Sequence, residues 1–201
     1  MEARGAVEAR GERRRIIGVM GSGVERHEAL AVPLGRWIAE RGYHLLTGGG
    51  AGVMEAVGEG FASVAGRRGL SIGILPAGPP PGYPNRWVDI AIHTHLEALG
   101  DEGEAPRSRN HLNVLSSDVV VALPGGAGTR SEVALAVRYG RPLVRMVAGG
   151  GAGAAQAGGG GSGGAAASAA LPDVPGAPPA VASLSALFEA LERALGRASG
   201  A

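Results

Sequence analysis

The chain has 201 residues, a formal net charge of +1, and 45% hydrophobic against 18% charged residues. That suits one domain with a real core, and the near-neutral balance argues against a protein held to a nucleic acid polymer mainly by phosphate contacts. There is no Cys and no Lys, all 19 Lys-or-Arg positions being Arg, which excludes disulfides, thiolate chemistry, a Lys Schiff base and a Walker A loop.

Residues 1–14 are charged and lack an apolar run, so they read as a solvated arm with no targeting feature. Short apolar runs then alternate with helix-like stretches. Arg15–Met20 predicts a first buried strand. Glu28–Arg41 predicts a helix, with Pro33 expected to cap or kink it and Gly42 to stop it. Tyr43–Leu46 is a second strand and Val53–Ala65 a second helix, weakened by Gly58 and Gly60. Leu70–Leu75 and Trp87–Ile92 are the third and fourth strands. Arg107–Ser116 is a helix, Asp118–Leu123 a fifth strand, Thr129–Tyr139 a helix and Pro142–Val147 a sixth strand. Continuous apolar runs without strict alternation fit parallel strands covered on both faces. The expected fold class is therefore α/β, a single doubly wound, mostly parallel Rossmann-like sheet flanked by helices.

The rest of the chain differs. Ala148–Ala170 contains only Gly, Ala, two Ser and one Gln, and Pro172, Pro175, Pro178 and Pro179 follow. Residues 148–180 are expected to be a flexible insert, because they hold too little apolar surface to offset ordering entropy. Residues 181–198 then carry Leu184, Leu187, Phe188, Leu191 and Leu195 at helical spacing, which predicts a final helix packed on the 15–147 domain. No apolar run reaches the roughly 18 residues of a membrane helix, so the expectation is a cytoplasmic protein with no membrane partner.

Three glycine-rich turns follow three strands. They are Gly21-Ser22-Gly23, then Thr47-Gly48-Gly49-Gly50-Ala51-Gly52, then Pro124-Gly125-Gly126-Ala127-Gly128-Thr129. In a parallel sheet all three lie at the carboxyl edge, where such folds bind ligands. Glycines let the backbone approach a ligand closely, and a following helix adds the positive end of its dipole. A phosphate-bearing small molecule is the natural guest. The dinucleotide fingerprint is not met, because Arg26 stands where its third Gly belongs.

Glu132 lies three residues after Thr129. The pair reads either as a capping box or as a carboxylate in the first turn beside the cleft, placed to stabilise a cationic centre or act as acid or base. Arg109 could clamp a phosphate with its planar fork. His93 and His95 would share a strand face, but no third metal ligand stands near them, and no metal site is expected.

The run from Arg109 to Glu132, which contains PGGAGTRSE at Pro124–Glu132, resembles the LONELY GUY (LOG) family, once labelled lysine decarboxylases. GGGAGVMEAV at Gly48–Val57 is a second matching block, and the resemblance covers about residues 15–147. It implies hydrolysis of the N-glycosidic bond of a nucleoside 5′-monophosphate by a homodimer without a catalytic cofactor. Arg109 and Glu132 would be catalytic, and Gly48–Gly50 and Gly125–Thr129 would bind phosphate. Plant-type members have Arg-Lys where this chain has Arg109-Asn110, and Glu-Leu where it has Val133-Ala134. Ile17–Gly23 and Ser108–Ser117 look more like a shorter branch that includes molybdenum-cofactor carrier proteins. That branch implies the alternative: a protein that binds the cofactor as a ligand without turnover.

Overall fold

The computed structural model describes residues 13–98, 100–147, 171 and 173–198; the stretch 148–170 and residues 1–12 lie outside the described residues. The strands are β1 Ile16–Met20, β2 His44–Thr47, β3 Ser71–Leu75, β4 Ile90–His93, β5 Val119–Ala122, β6 Leu143–Met146 and β7 Ala180–Val181. All pair in parallel, in the order β4-β3-β2-β1-β5-β6-β7. The chain winds outward from β1 to β4, returns to β5, and winds outward again on the other side. The fold is a doubly wound Rossmann-like α/β sheet with its switch point between β1 and β5. Its helices are α1 Glu28–Glu40, α2 Val53–Ala62, α3 Asn110–Leu115, α4 Ala127–Arg138 and α5 Leu184–Ala198.

Side chains alternate across the sheet as strand geometry requires. Ile17, Val19, Leu45, Val119, Val121 and Met146 pack under α1, α2 and α5. Met20, Leu46 and Val120 pack on the opposite face with Val114 of α3 and Leu135 of α4. Both faces of β1, β2 and β5 are covered, which is why those strands read as unbroken apolar runs, whereas β4, at the sheet edge, is exposed along its length. Leu187, Leu191 and Leu195 bring α5 onto the first face, and Phe188 stacks on Trp37 of α1 with ring centroids 5.3 Å apart. Burying a leucine side chain contributes about 1.5–3 kcal/mol, so this stripe holds the helix down.

Several boundaries differ from the sequence expectation, each for a local reason. Pro33 lies inside α1 and does not end it. β4 begins at Ile90 because residues 85–89 form a turn. Asn85 Oδ1 accepts the Trp87 N–H at 3.0 Å, and Asp89 accepts the Ser71 N–H at 2.7 Å. α3 begins at Asn110 because Arg107 and Arg109 are engaged by Glu97: the Glu97 N–H donates to the Arg107 carbonyl at 2.9 Å and the Arg109 N–H to the Glu97 carbonyl at 3.1 Å. The last part of the expected insert is docked instead. Val174 packs with Ala122 and Val133, and β7 extends the sheet beside β6. Arg13, assigned by charge to the arm, bonds Asp118 at 2.5 and 3.1 Å. Among the described residues no helix is long and apolar enough to cross a membrane.

α2 ends at Ala62 rather than Ala65. Its Gly60 is a packing device, not simply a weakness. A Cβ on Gly60 would fall on the carbonyl oxygen of Val32 in α1, and a Cβ on Gly35 of α1 would fall on that of Val57 in α2. The two helices therefore touch backbone to backbone. Gly35→Ala should destabilise the fold by about 2 kcal/mol or more, because no side chain can move aside to relieve the overlap, despite the gain in helix propensity. Urea denaturation checks this, and an unchanged midpoint would contradict the packing.

Candidate functional site

The three glycine turns meet at the switch point. The Ser22 N–H donates to the Pro124 carbonyl at 3.0 Å, and the Val53 N–H donates to the Ser22 carbonyl at 2.9 Å. Gly125 must lack a side chain here, since a Cβ would lie 2.7 Å from the Ser22 nitrogen. Gly52 holds a positive φ of 65° and presses against the Gly23 backbone, while Gly21 backs onto the Val53 side chain. The Ser22 hydroxyl oxygen accepts the N–H groups of Val24 and Glu25 at 3.2 and 2.9 Å, fixing the first turn.

The second turn is strapped from outside. Thr47 Oγ1 accepts the Gly49 N–H at 3.0 Å. Asn85 donates its backbone N–H to the Gly49 carbonyl and its side-chain N–H to the Gly50 carbonyl, both at 2.7 Å. A Cβ on Gly49 would run into Leu75, and one on Gly50 into the Tyr83 ring. Thr47, Gly49, Gly50 and Gly52 thus shape the loop rather than line the cleft. Of the predicted residues, Gly21, Gly23, Gly48, Gly128, Thr129, Arg109 and Glu132 do line it, around a volume of about 180 Å³.

Arg109 enters from the residue before α3. Its Nη1 donates to the Gly48 carbonyl at 2.5 Å and also to the Ile74 carbonyl. A Cβ on Gly48 would come within 2.7 Å of both terminal guanidinium nitrogens, so only glycine lets the fork lie against this loop. Arg109 is 8% exposed, yet it forms no ion pair with a carboxylate among the described residues. A buried permanent cation whose partners are carbonyl oxygens is poised for an anion.

Glu132 is not the capping-box residue that its spacing allowed. α4 begins at Ala127, with Gly126 before it and no side-chain cap, so Thr129 is already its third residue. Glu132 therefore sits in the second turn rather than the first. Asn113 of α3 donates its amide to Glu132 Oε1 at 2.8 Å. Burial pushes the Glu132 carboxyl above its ordinary range, outweighing the Asn113 amide and the Arg109 charge, which pull it down.

The start of α4 completes the cradle. The Ala127, Gly128 and Thr129 N–H groups have no acceptor among the described residues, as at the head of any helix. Thr129 Oγ1 is buried without a partner, which calls for an explanation. Gly126 and Gly128 have negative or helical backbone angles and open space where a Cβ would stand. Nothing in the protein needs glycine at either position, whereas a ligand lying on the backbone would. Free N–H groups, a hydroxyl, a helix dipole and a guanidinium converge, which is the equipment for binding a phosphate.

Sequence reading missed Asn113, Asn110, Tyr83 and Met54. Asn113 had a signal, since it lies four residues after Arg109 and so on the same side of a helix. Asn110 donates to Ser131 Oγ at 2.6 Å, bracing α3 against α4. Tyr83 comes from a proline-rich loop with no sequence signal for its contact. Among the described residues no group of three or more potential metal ligands converges.

The sequence pattern of the SLOG cluster4 family matches residues 14–159. The chain belongs to that family. This agrees with the LOG-like resemblance and with its shorter branch. The SLOG chain is similar to the molybdenum cofactor binding protein of the phototrophic bacterium Rippkaea orientalis, at 43% identity and a TM-score of 0.56, covering 67% of this chain and 77% of that one. It is similar to the molybdenum cofactor carrier protein of Chlamydomonas reinhardtii, at 39% identity and a TM-score of 0.55, with the same coverage. It is also 39% identical over 127 residues to an uncharacterized protein of Archaeoglobus fulgidus, covering 62% of this chain and 75% of that one.

The electrostatics of Glu132 carry a testable sign. A carboxyl whose pKa is raised in the folded state contributes stability in acid that is lost as pH rises through the folded value. Glu132→Gln keeps an acceptor for Asn113 and removes the buried charge. It should therefore raise Tm more at pH 8 than at pH 5. An increment equal at both pH values would contradict the assignment.

Proposed function

We propose that this chain binds the molybdenum cofactor, a phosphate-bearing pterin, and carries it without turnover. The observation that carries this reading is the cradle at the head of α4: the open positions at Gly126 and Gly128, the unpartnered Thr129 hydroxyl and the carboxylate-free Arg109 guanidinium. Its chemistry is that of an anion seat. The identities of 39% and 43% to proteins described as binding or carrying this cofactor support the choice of ligand. A cleft of about 180 Å³ is smaller than the roughly 300–1,000 Å³ of drug-sized ligand pockets. It suits the phosphate end, leaving the pterin to extend past Met54 and Tyr83. A cytoplasmic homodimer acting on this small ligand, rather than on a nucleic acid polymer, belongs to the same reading.

A second reading has one observation in its favour. Arg109 and Glu132 line the same cleft, and a raised carboxyl pKa suits proton transfer in N-glycosidic cleavage of a nucleoside 5′-monophosphate. The two readings separate in one experiment. The wild-type protein, Glu132→Gln and Gly128→Val are loaded with molybdenum cofactor, desalted and mixed with a cofactor-free molybdoenzyme. In parallel, each is incubated with AMP, GMP, CMP and UMP and assayed for free base. The carrier reading expects wild type and Glu132→Gln to reconstitute the acceptor and Gly128→Val to lose at least about tenfold in capacity. Gly128→Val should stay within about 1 kcal/mol of wild-type stability, since its helix propensities are close. No free base is expected. Base released by the wild type and not by Glu132→Gln would overturn the carrier in favour of the hydrolase.

A further inference from the structure

A second concave surface lies at the opposite edge of the sheet, where the strands begin. It spans about 880 Å³ and is lined by Arg13, Arg14 and Arg15 before β1, Arg41 and Tyr43 between α1 and β2, and Arg68 before β3. That volume is within the range of small-molecule sites. Ligands of this fold class ordinarily bind at the other edge, so the glycine cleft does not account for it.

Charge in this cavity is unevenly compensated. Asp118 takes Arg13 at 2.5 Å and Arg15 at 3.7 Å. Glu192 of α5 takes Arg41 at 2.7 Å, and the Arg41 guanidinium also lies 4.1 Å over the Trp37 ring. Arg14 and Arg68 form no ion pair among the described residues. The Arg68 fork lies against Gly42, where a Cβ would be 3.2 Å away. The ends of α1 and α5 add partial negative charge, yet the five guanidinium groups still leave the cavity positive. Like charges held together on an ordered backbone repel one another, and a ligand with several negative charges relieves that. Guanidinium forks match phosphate oxygens in pairs.

We propose that this cavity is a second binding site, for a small polyanion bearing a chain of phosphates, such as a nucleoside triphosphate or inorganic tripolyphosphate. Arg14 and Arg68 supply the uncompensated charges that grip it, and the arginines tied to Asp118 and Glu192 frame it. The site is separate from the glycine cleft and does not depend on what that cleft binds. His44, which opens β2, reports on it: burial and then the charge of Arg14 hold its imidazole below the ordinary range, so an anion on Arg14 should raise it.

The test is calorimetric titration of the full chain with sodium tripolyphosphate, ATP and orthophosphate at 150 mM salt, roughly the physiological ionic strength. Wild type, the double variant Arg14→Ala/Arg68→Ala and the cleft variant Gly128→Val are compared. Both arginines are exposed, and such surface substitutions shift stability by about 0.5 kcal/mol or less, so the double variant should fold and bind at the cleft unchanged. The expected result is that wild type and Gly128→Val bind tripolyphosphate at least about tenfold more tightly than orthophosphate. The double variant should bind it at least about tenfold more weakly, and the NMR titration midpoint of His44 should rise on binding only where Arg14 is present. ATP matching tripolyphosphate supports a nucleotide source, and tripolyphosphate alone supports an inorganic one. Equal binding by the double variant, loss of binding in Gly128→Val, or no binding by wild type would overturn the proposal.

Discussion

The Ser22 N–H donates to the Pro124 carbonyl, and the Ser22 carbonyl receives the Val53 N–H. These two bonds tie the three glycine turns into one body, and they are possible only because Gly125 and Gly52 bring no Cβ to the contact. Parallel strands β1 and β5 set the starting distance. The turns then close it until backbone meets backbone, and the first N–H groups of α4 face the gap between them. A side chain at any of the crossing glycines would spread the turns and dissolve the cradle before any ligand was involved. The glycines thus divide into two sets. Gly21, Gly48, Gly49, Gly50, Gly52 and Gly125 are needed by the protein, and Gly23, Gly126 and Gly128 are not.

That division was only half legible in the sequence. Six strands, their parallel order and the shared edge of the turns follow from apolar runs broken by glycine. The LOG-like motif was legible too, and the resemblance it carries, rather than spacing alone, pointed to Arg109 and Glu132. What a glycine faces is a long-range property, set for Gly49 by Leu75 and for Gly50 by Tyr83, and local spacing does not carry it. The capping box failed for a related reason. α4 extends two residues further toward its start than Thr129, which rotates Glu132 away from the helix head and toward Asn113. β7 was hidden because a proline-rich segment reads as unstructured until Val174 finds its place beside Ala122 and Val133.

Electrostatics gives the two edges of the sheet different characters. At the carboxyl edge one buried arginine is held by carbonyls beside a carboxyl that burial favours in its neutral form. At the amino edge several arginines are partly answered by Asp118 and Glu192. Burial alone would push Asp118 upward, but the bonds and charges of Arg13 and Arg15 and the Ile16 N–H hold it below the ordinary carboxylate range. Charge content alone made Arg13 and Arg14 look like part of a solvated arm. The aspartate that orders them lies more than a hundred positions away in the chain.

In the proposed function, the head of α4 and Arg109 together hold the phosphate of the ligand. The most direct test is a titration of the isotopically labelled protein with a pterin phosphate, following backbone amides by NMR. Saturable shifts are expected at the Gly126, Ala127, Gly128 and Thr129 amides and at Arg109 Nε, with one apparent Kd for all of them. Shifts confined to the arginines at the amino edge, or none at these amides under saturating ligand, would contradict it.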